Sequence, residues 1–355
     1  MKLIVGYVGM THLGLVSAAA GAQRGFEIVA FDPDGGLLKN VQSGDLPVNE
    51  PHLAETLASQ REAISWTNDP ADLARCGLVH ISPDIPTDED GTSDLTGIDA
   101  LIGQVGPHLG GDTPLVVLSQ VPPGFTRQRM GHGRSLFYQV ETLVFGEAFD
   151  RAVNPERIIV GCADPGMDLP AGYRAYLDAF ECPVFTMRYE SAELAKIAIN
   201  CCLVSQVSVA NTLAELCQEI GADWREIVPA LKSDKRIGPH AYLNAGLGIA
   251  GGNLERDLAT VVRLAGERDT DAGVVKAWLA NSGRCKLAAA GMVKEHVLPG
   301  NPDPLIAVWG LAYKENTHST RNAPSLATLA ALPDCRFRVH DPVVPAGEAN
   351  HAKAE

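Results

Sequence analysis

Apolar residues in the first third of the chain come in short blocks rather than in long helical stripes. Leu3-Ile4-Val5 begins one such block, and Glu27-Ile28-Val29-Ala30-Phe31 forms another. Runs of this length suit strands buried on both faces. Between them lie Gly9-Met10-Thr11-His12-Leu13-Gly14 and the small-residue stretch Val16-Ser17-Ala18-Ala19-Ala20, a glycine turn opening a closely packed helix. Further strands are predicted at 78–82, 114–118, around Phe137, at 158–161, at 304–309 and near 337–339, with helices starting at Leu53 and Ser325. Polar or proline-rich loops follow these strands at 44–51, 83–91 and 119–124. Strands and helices that alternate in this way predict an α/β fold with an N-terminal Rossmann-like, doubly wound sheet.

The first block, the turn, the helix and the second block end on Asp32, 18 residues after Gly14. That order is a dinucleotide fingerprint: helix N-terminal amides face a pyrophosphate, and the closing acid accepts from ribose hydroxyls. Gly9, Thr11, His12, Leu13, Gly14 and Asp32 are therefore the candidate cofactor-binding residues. Asp32 has no basic neighbour, which favours NAD over NADP. Thr11 stands where a second glycine would let the pyrophosphate approach the backbone. A parallel-sheet domain whose turn binds nothing is the competing reading.

Composition narrows the function classes. The 355 residues leave room for two or three domains, and 46% hydrophobic with 20% charged residues is ordinary globular composition. A net charge of −14 with a pI near 5.2 argues against a nucleic-acid partner. The eight cysteines show no CxxC pair and no zinc-like spacing with histidine, so no metal is expected, and reduced thiols point to the cytoplasm. Met1-Lys2 runs straight into the first strand, so no signal peptide is expected. No uninterrupted apolar run reaches the roughly 18 residues that would span a bilayer, so no membrane association is expected.

The pattern changes after residue 190. Glu193, Lys196 and Asn200 are spaced i, i+3, i+7, so one helical face carries all three. A lysine and an asparagine one turn apart can hold a developing alkoxide or a water. A polar stripe on a solvated helix has the same spacing. The flanking Ile197, Ala198, Ile199, Cys201, Cys202, Leu203 and Val204 suggest instead that the helix is buried, where a lysine needs a partner. A glycine-rich loop from Gly246 to Asp257 follows, whose backbone can come close to a ligand.

Taken together, these segments resemble the UDP-glucose/GDP-mannose dehydrogenase family. The resemblance extends through Gly44 to Pro51, Pro86 to Asp94, Val121-Pro122-Pro123-Gly124, Glu141 with Gly146, Asn154 to Arg157, Ser191 to Lys196, Asp234 to Gly238, Gly246 to Asp257, and Gly310 to Lys314 with Arg321. It implies that Lys196 stabilises oxygen charge on the sugar, that Asn200 positions a water and that Asp257 acts as a base. It also implies that Glu141 is available for proton transfer, a buried structural carboxylate being an equal reading, and that Pro86 and Arg321 lie near the cofactor. Arg236, Gly248, Gly251, Arg256 and Lys314 would then lie near a nucleotide-diphosphate sugar. Arg236 would be contributed across a dimer, although it and Arg256 also read as surface charges.

Two positions depart from the family pattern. Asn253 occupies the place of the nucleophilic cysteine, and Gln120 that of a threonine that helps hold water. The family oxidises an alcohol twice and captures the intermediate aldehyde as a thiohemiacetal. An amide is no such nucleophile, and Cys201, next to Asn200, points about 100° away from it. Three readings stand: an NAD-dependent nucleotide-sugar oxidoreductase without the thioester step, a redox-neutral epimerase or dehydratase using transient NAD oxidation, and a non-catalytic subunit of a hetero-oligomer. The expected organisation is an NAD-binding domain at 1–190, a helical dimerisation domain at 191–295 and a partial nucleotide-sugar domain at 296–355. The expected assembly is a homodimer or a hetero-oligomer with a related subunit.

Overall fold

The structure, a computed structural model, describes residues 2–88, 92–130, 135–315 and 317–351. It divides into two compact units, Met1–Lys196 and Ile197–Glu355. In the first, the strands are β1 (Ile4–Val8), β2 (Glu27–Phe31), β3 (Ile64–Thr67), β4 (Leu78–Ile81), β5 (Leu115–Val117), β6 (Leu136–Gln139), β7 (Ile158–Cys162) and β8 (Val184–Arg188). They form one sheet in the order β3-β2-β1-β4-β5-β6-β7-β8. Every neighbouring pair is parallel except β6 and β7. Strand order reverses at β1, which pairs with β2 on one side and β4 on the other. The crevice at the C-terminal ends of such strands is where doubly wound sheets bind ligands.

The predicted central strands are present because their apolar runs are buried on both faces. Tyr7 and Ile28 pack on one side of the sheet, and Val8, Phe31 and Ile81 on the other. Sequence reading missed β3 and β8, the two edges. Apart from Ile64, their residues are partly buried or exposed, so their sequences lack a continuous apolar run.

The helices of this unit are α1 (His12–Gln23), α2 (Gly35–Ser43), α3 (Leu53–Ser59), α4 (Thr96–Val105), α5 (Phe125–Gln128), α6 (Ala148–Val153) and α7 (Ala171–Asp178). Small side chains let α1 lie close on the sheet: a Cβ on Gly21 would sit 3.1 Å from both Ile28 and Tyr7. Beneath it lies a buried polar-aromatic cluster. His80 stacks on Tyr7 with ring centroids 4.9 Å apart, and the Tyr7 and Tyr176 hydroxyls are 2.8 Å apart. Burial pushes the His80 imidazole down to about 3, so it sits in the core as the neutral base.

Helix α8 (Tyr189–Ile220) starts in the first unit and continues into the second. By length and composition alone it is apolar enough to cross a bilayer, although no uninterrupted apolar run in it reaches about 18 residues. Scattered residues such as Ser205, Gln206 and Asn211 break its uninterrupted apolar runs while leaving the average high. A core or interface helix passes the same test, and only 33% of its most apolar stretch is buried. The helix is not buried all round. The polar residues Glu193, Lys196 and Asn200 face inward, whereas Leu194, Val209, Leu216 and Ile220 are exposed.

The second unit continues with α9 (Trp224–Ser233), α10 (Asn253–Glu267), α11 (Gly273–Lys286) and α12 (Ala288–Met292). A small sheet follows, in which β9 (Leu305–Trp309) runs parallel to β10 (Arg336–His340), with α13 (Pro324–Ala330) between them in sequence. Asp341 fastens the strand ends together. Its carboxylate accepts from the backbone N–H groups of Leu311, Ala312, Val343 and Val344, which hold it well below the usual carboxylate range.

Candidate active site

The cofactor turn follows β1 directly. Gly9 has a φ of +94°, and a Cβ there would lie 2.9 Å from the Pro83 nitrogen. A Cβ on Gly14 would come within 1.8 Å of the Gly9 carbonyl oxygen, so the helix can approach the turn only because residue 14 is glycine. Thr11 uses its hydroxyl to accept from Asp84 N at 2.7 Å, tying the turn to the loop after β4. His12 and Leu13 are buried in the first turn of α1. Asp32 accepts from Met10 N at 2.7 Å through one oxygen and from Asp34 N at 2.9 Å through the other. These bonds aim the carboxylate while leaving lone pairs for ribose hydroxyls. The cradle therefore fits a dinucleotide. Pro86 is exposed on the loop after β4, and its carbonyl accepts from Asp94 N at 2.9 Å; residues 89–91 of that loop lie outside the described residues.

Polar residues of α8 find partners within each unit. In the first unit, the Lys196 Nζ lies 3.4 Å from Glu141 Oε2, both side chains largely buried. Glu141 stands two residues beyond the end of β6 and also accepts from Leu143 N. Glu193 is 1% exposed and accepts from Gly124 N at 2.5 Å and Thr126 N at 2.8 Å, so it clamps the Val121–Gly124 loop to α8. Gln120, at the head of that loop, is partly buried.

In the second unit, Asn200 Nδ2 donates to Asp257 Oδ2 at 2.5 Å, and Arg256 Nε donates to Asp257 Oδ1 at 3.0 Å. Asp257 is 1% exposed. Arg256 is thus a buried partner of the carboxylate and not the surface charge that sequence left open. The Gly246–Asp257 segment is also not all loop: Asn253 is the first residue of α10. It is exposed and stands one helical turn before Asp257, on the same face. Burial, with the Asp257 carboxylate nearby, pushes the Cys201 thiol up to about 11. That shift disfavours the thiolate that a replacement nucleophile would need.

The glycine loop before α10 is pinned from several sides. A Cβ on Gly248 would lie 2.7 Å from the Ser282 carbonyl oxygen, and Ser282 Oγ accepts from Ile249 N at 3.0 Å. Asn211 Oδ1 accepts from Gly246 N at 2.7 Å. A Cβ on Gly251 would meet the Tyr313 ring at 3.0 Å, and one on Gly252 the Arg321 side chain at 3.0 Å. Arg321 is therefore placed beside Gly252, joined to the loop by the Gly251 N–H bond to its carbonyl. Lys314 lies next to Tyr313, its Nζ 5.9 Å from the ring centroid. Arg236 is not gathered into this group: its side chain is 88% exposed and held by Asp234. Sequence reading missed Asn211 and Ser282, whose partners lie far away along the chain.

Family profiles match along most of the chain. The family's NAD-binding domain profile matches residues 3–168, its central-domain profile residues 190–282 and its UDP-binding profile residues 307–355. The chain belongs to the UDP-glucose/GDP-mannose dehydrogenase family. It is 32% identical to a UDP-glucose 6-dehydrogenase of Pseudomonas aeruginosa over 98% of this chain and 80% of that protein. It is 27% identical to UDP-glucose 6-dehydrogenase TuaD of Bacillus subtilis over 96% and 76% of the two chains. A UDP-glucose dehydrogenase structure from Pyrobaculum islandicum superposes with a TM-score of 0.86 at 26% identity, covering 99% of this chain and 84% of the other. Membership makes this chain an NAD-dependent dehydrogenase-like enzyme acting on a nucleotide sugar, with NAD as its cofactor.

Proposed function

We propose that the chain oxidises the 6-hydroxymethyl group of UDP-glucose, or of a closely related UDP-hexose, to the carbonyl level and releases it without forming a thioester. The observation that carries this reading is Asn253 at the exposed start of α10, one turn before Asp257, where the family resemblance calls for cysteine. NAD held at the Gly9–Gly14 turn supplies the hydride acceptor. Asp257 takes the hydroxyl proton as the C–H bond breaks, and the Asn200 amide keeps its carboxylate aimed. Lys196 offers N–H groups to the oxygen as negative charge develops, and Glu141 offsets the lysine charge. The amide nitrogen of Asn253 has its lone pair delocalised and cannot add to the aldehyde.

Two further parts of the reading concern assembly. Val209, Leu216 and Ile220 on α8 are half-exposed or more, which supports packing against a second copy. In such a homodimer Arg236 would serve its partner's substrate. The eight free thiols support a reducing, cytoplasmic setting.

Incubation with UDP-glucose, NAD and a hydroxylamine trap tests the reading. One NADH per trapped aldehyde is expected by absorbance and mass spectrometry. UDP-glucuronate formed with two NADH, unaffected by iodoacetamide, would overturn it. Solvent deuterium in the product without net NADH would instead indicate epimerisation or dehydration.

A further inference from the structure

Glu50 is a buried acid outside the group of residues just described. It lies on the segment between α2 and α3 and is 5% exposed. Its side-chain hydrogen bonds join two loops. Oε1 accepts from His12 Nε2 at 3.0 Å and from Gly146 N at 2.8 Å. Oε2 accepts from Gly146 N at 3.1 Å and from Ala148 N at 3.3 Å. A carboxylate without such donors would be strongly disfavoured in this position. His12 is the first residue of α1, immediately after Thr11 of the cofactor turn. Its ring lies parallel to Phe145, with centroids 4.4 Å apart and an 8° interplanar angle. Phe145 and Gly146 close the loop that begins at Glu141, the partner of Lys196. Gly146 has a φ of +86°, a turn that presents its N–H to Glu50.

We propose that Glu50 is a positioning residue: through His12 and the Gly146 and Ala148 amides it fixes the Glu141 loop against the cofactor turn, so that the cofactor turn and the Glu141 carboxylate are held as one unit. This rests on the proposed reaction for its catalytic consequence, but not for its structural one. Carboxylates that orient reacting groups act by geometry, and a displacement of about 1 Å can lower a rate by about 100-fold.

The test uses the full chain with UDP-glucose and NAD. Glu50→Gln keeps the size of the side chain but turns an amide N–H toward backbone N–H groups. It should lower kcat by about tenfold or more while KM for UDP-glucose stays within about threefold. Glu141→Gln should lower kcat on its own, and adding Glu50→Gln to it should change nothing further, because Glu50 works through that loop. Multiplicative effects in the double variant, or an unchanged kcat in Glu50→Gln, would overturn the proposal. A second measurement needs no turnover. Hydrogen exchange at the Gly146 and Ala148 amides should quicken by about tenfold in Glu50→Gln, and NAD should slow it in the parent chain only. Unaltered exchange overturns the proposal even if UDP-glucose proves not to be a substrate, which keeps this failure distinct from failure of the reaction reading. If Glu50→Gln does not fold, His12→Phe keeps the ring on Phe145, removes the donor and carries the same tests.

Discussion

Asn200 Nδ2 donates to Asp257 Oδ2 across 2.5 Å, joining α8 to the second turn of α10. The other carboxylate oxygen is taken by Arg256 Nε, so the acid is aimed from two directions. This arrangement keeps a nearly inaccessible carboxylate in one orientation, which a proton acceptor for a sugar hydroxyl requires.

Replacing Asp257 by Asn keeps the shape and removes the charge. Hydride transfer should slow by about 10²- to 10⁴-fold, the range typical for loss of a positioned base. The Arg256 guanidinium, largely buried, would lose its counter-charge, so stability should fall by about 3 kcal/mol. NAD affinity, set by the Gly9–Gly14 turn, should stay within about twofold. Stopped-flow NADH formation, urea unfolding and calorimetry measure the three effects separately.

His80 links the core to pH. Its imidazole titrates at about 3 in the fold because burial disfavours the cation, against about 6.5 in an unfolded chain. Below about pH 6.5 the unfolded state takes up a proton that the native state refuses, so this group removes stability as pH falls from there toward 3. The loss should approach about 2 kcal/mol by pH 5. His80→Phe should flatten that part of the profile. Equal slopes for the two proteins between pH 7 and 5, in urea titrations, would contradict the buried neutral histidine.

The sequence made the cofactor turn legible because every part of it is local. Gly9, Gly14 and Asp32 fall within one strand-helix-strand unit, and their spacing encodes the clash that a Cβ on Gly14 would cause. The central strands were legible for the same reason, as short runs buried on both faces. The edge strands β3 and β8 were not, because one-sided burial leaves a mixed pattern. Helical spacing put Lys196 and Asn200 on one face of α8. Spacing could not name Glu141 and Asp257 as their partners, since each is more than 50 residues away; the pairing of Asp257 with Asn200 came from the family resemblance alone. Apolar flanks also do not by themselves mark the buried side of α8. In the structure the polar stripe faces inward, while Leu194, Val209 and Leu216 are exposed.

Cys201 should be a bystander. With its thiol held near 11 by burial and the Asp257 carboxylate, it should react with iodoacetamide at pH 7.5 far more slowly than a small-molecule thiol. Cys201→Ser should leave turnover within about twofold. A large loss on this substitution, or rapid inactivation that tracks alkylation of residue 201 by mass spectrometry, would point to a covalent role for it.

The strongest single test restores the missing atom. Asn253 is exposed at the first position of α10, where the helix N-terminus favours a thiolate over a thiol. In Asn253→Cys a thiolate could add to the bound aldehyde, and the resulting thiohemiacetal could give up a second hydride to form a thioester. NADH yield should then rise from one toward two per UDP-glucose consumed, and turnover should become sensitive to iodoacetamide near neutral pH. If Gln120 occupies the place of a threonine that helps hold water, as the family resemblance implies, hydrolysis should lag, and the acyl-enzyme should accumulate as a mass adduct on the introduced thiol. An NADH yield that stays at one, with no adduct, would mean that Asn253 is not what halts the reaction at the carbonyl.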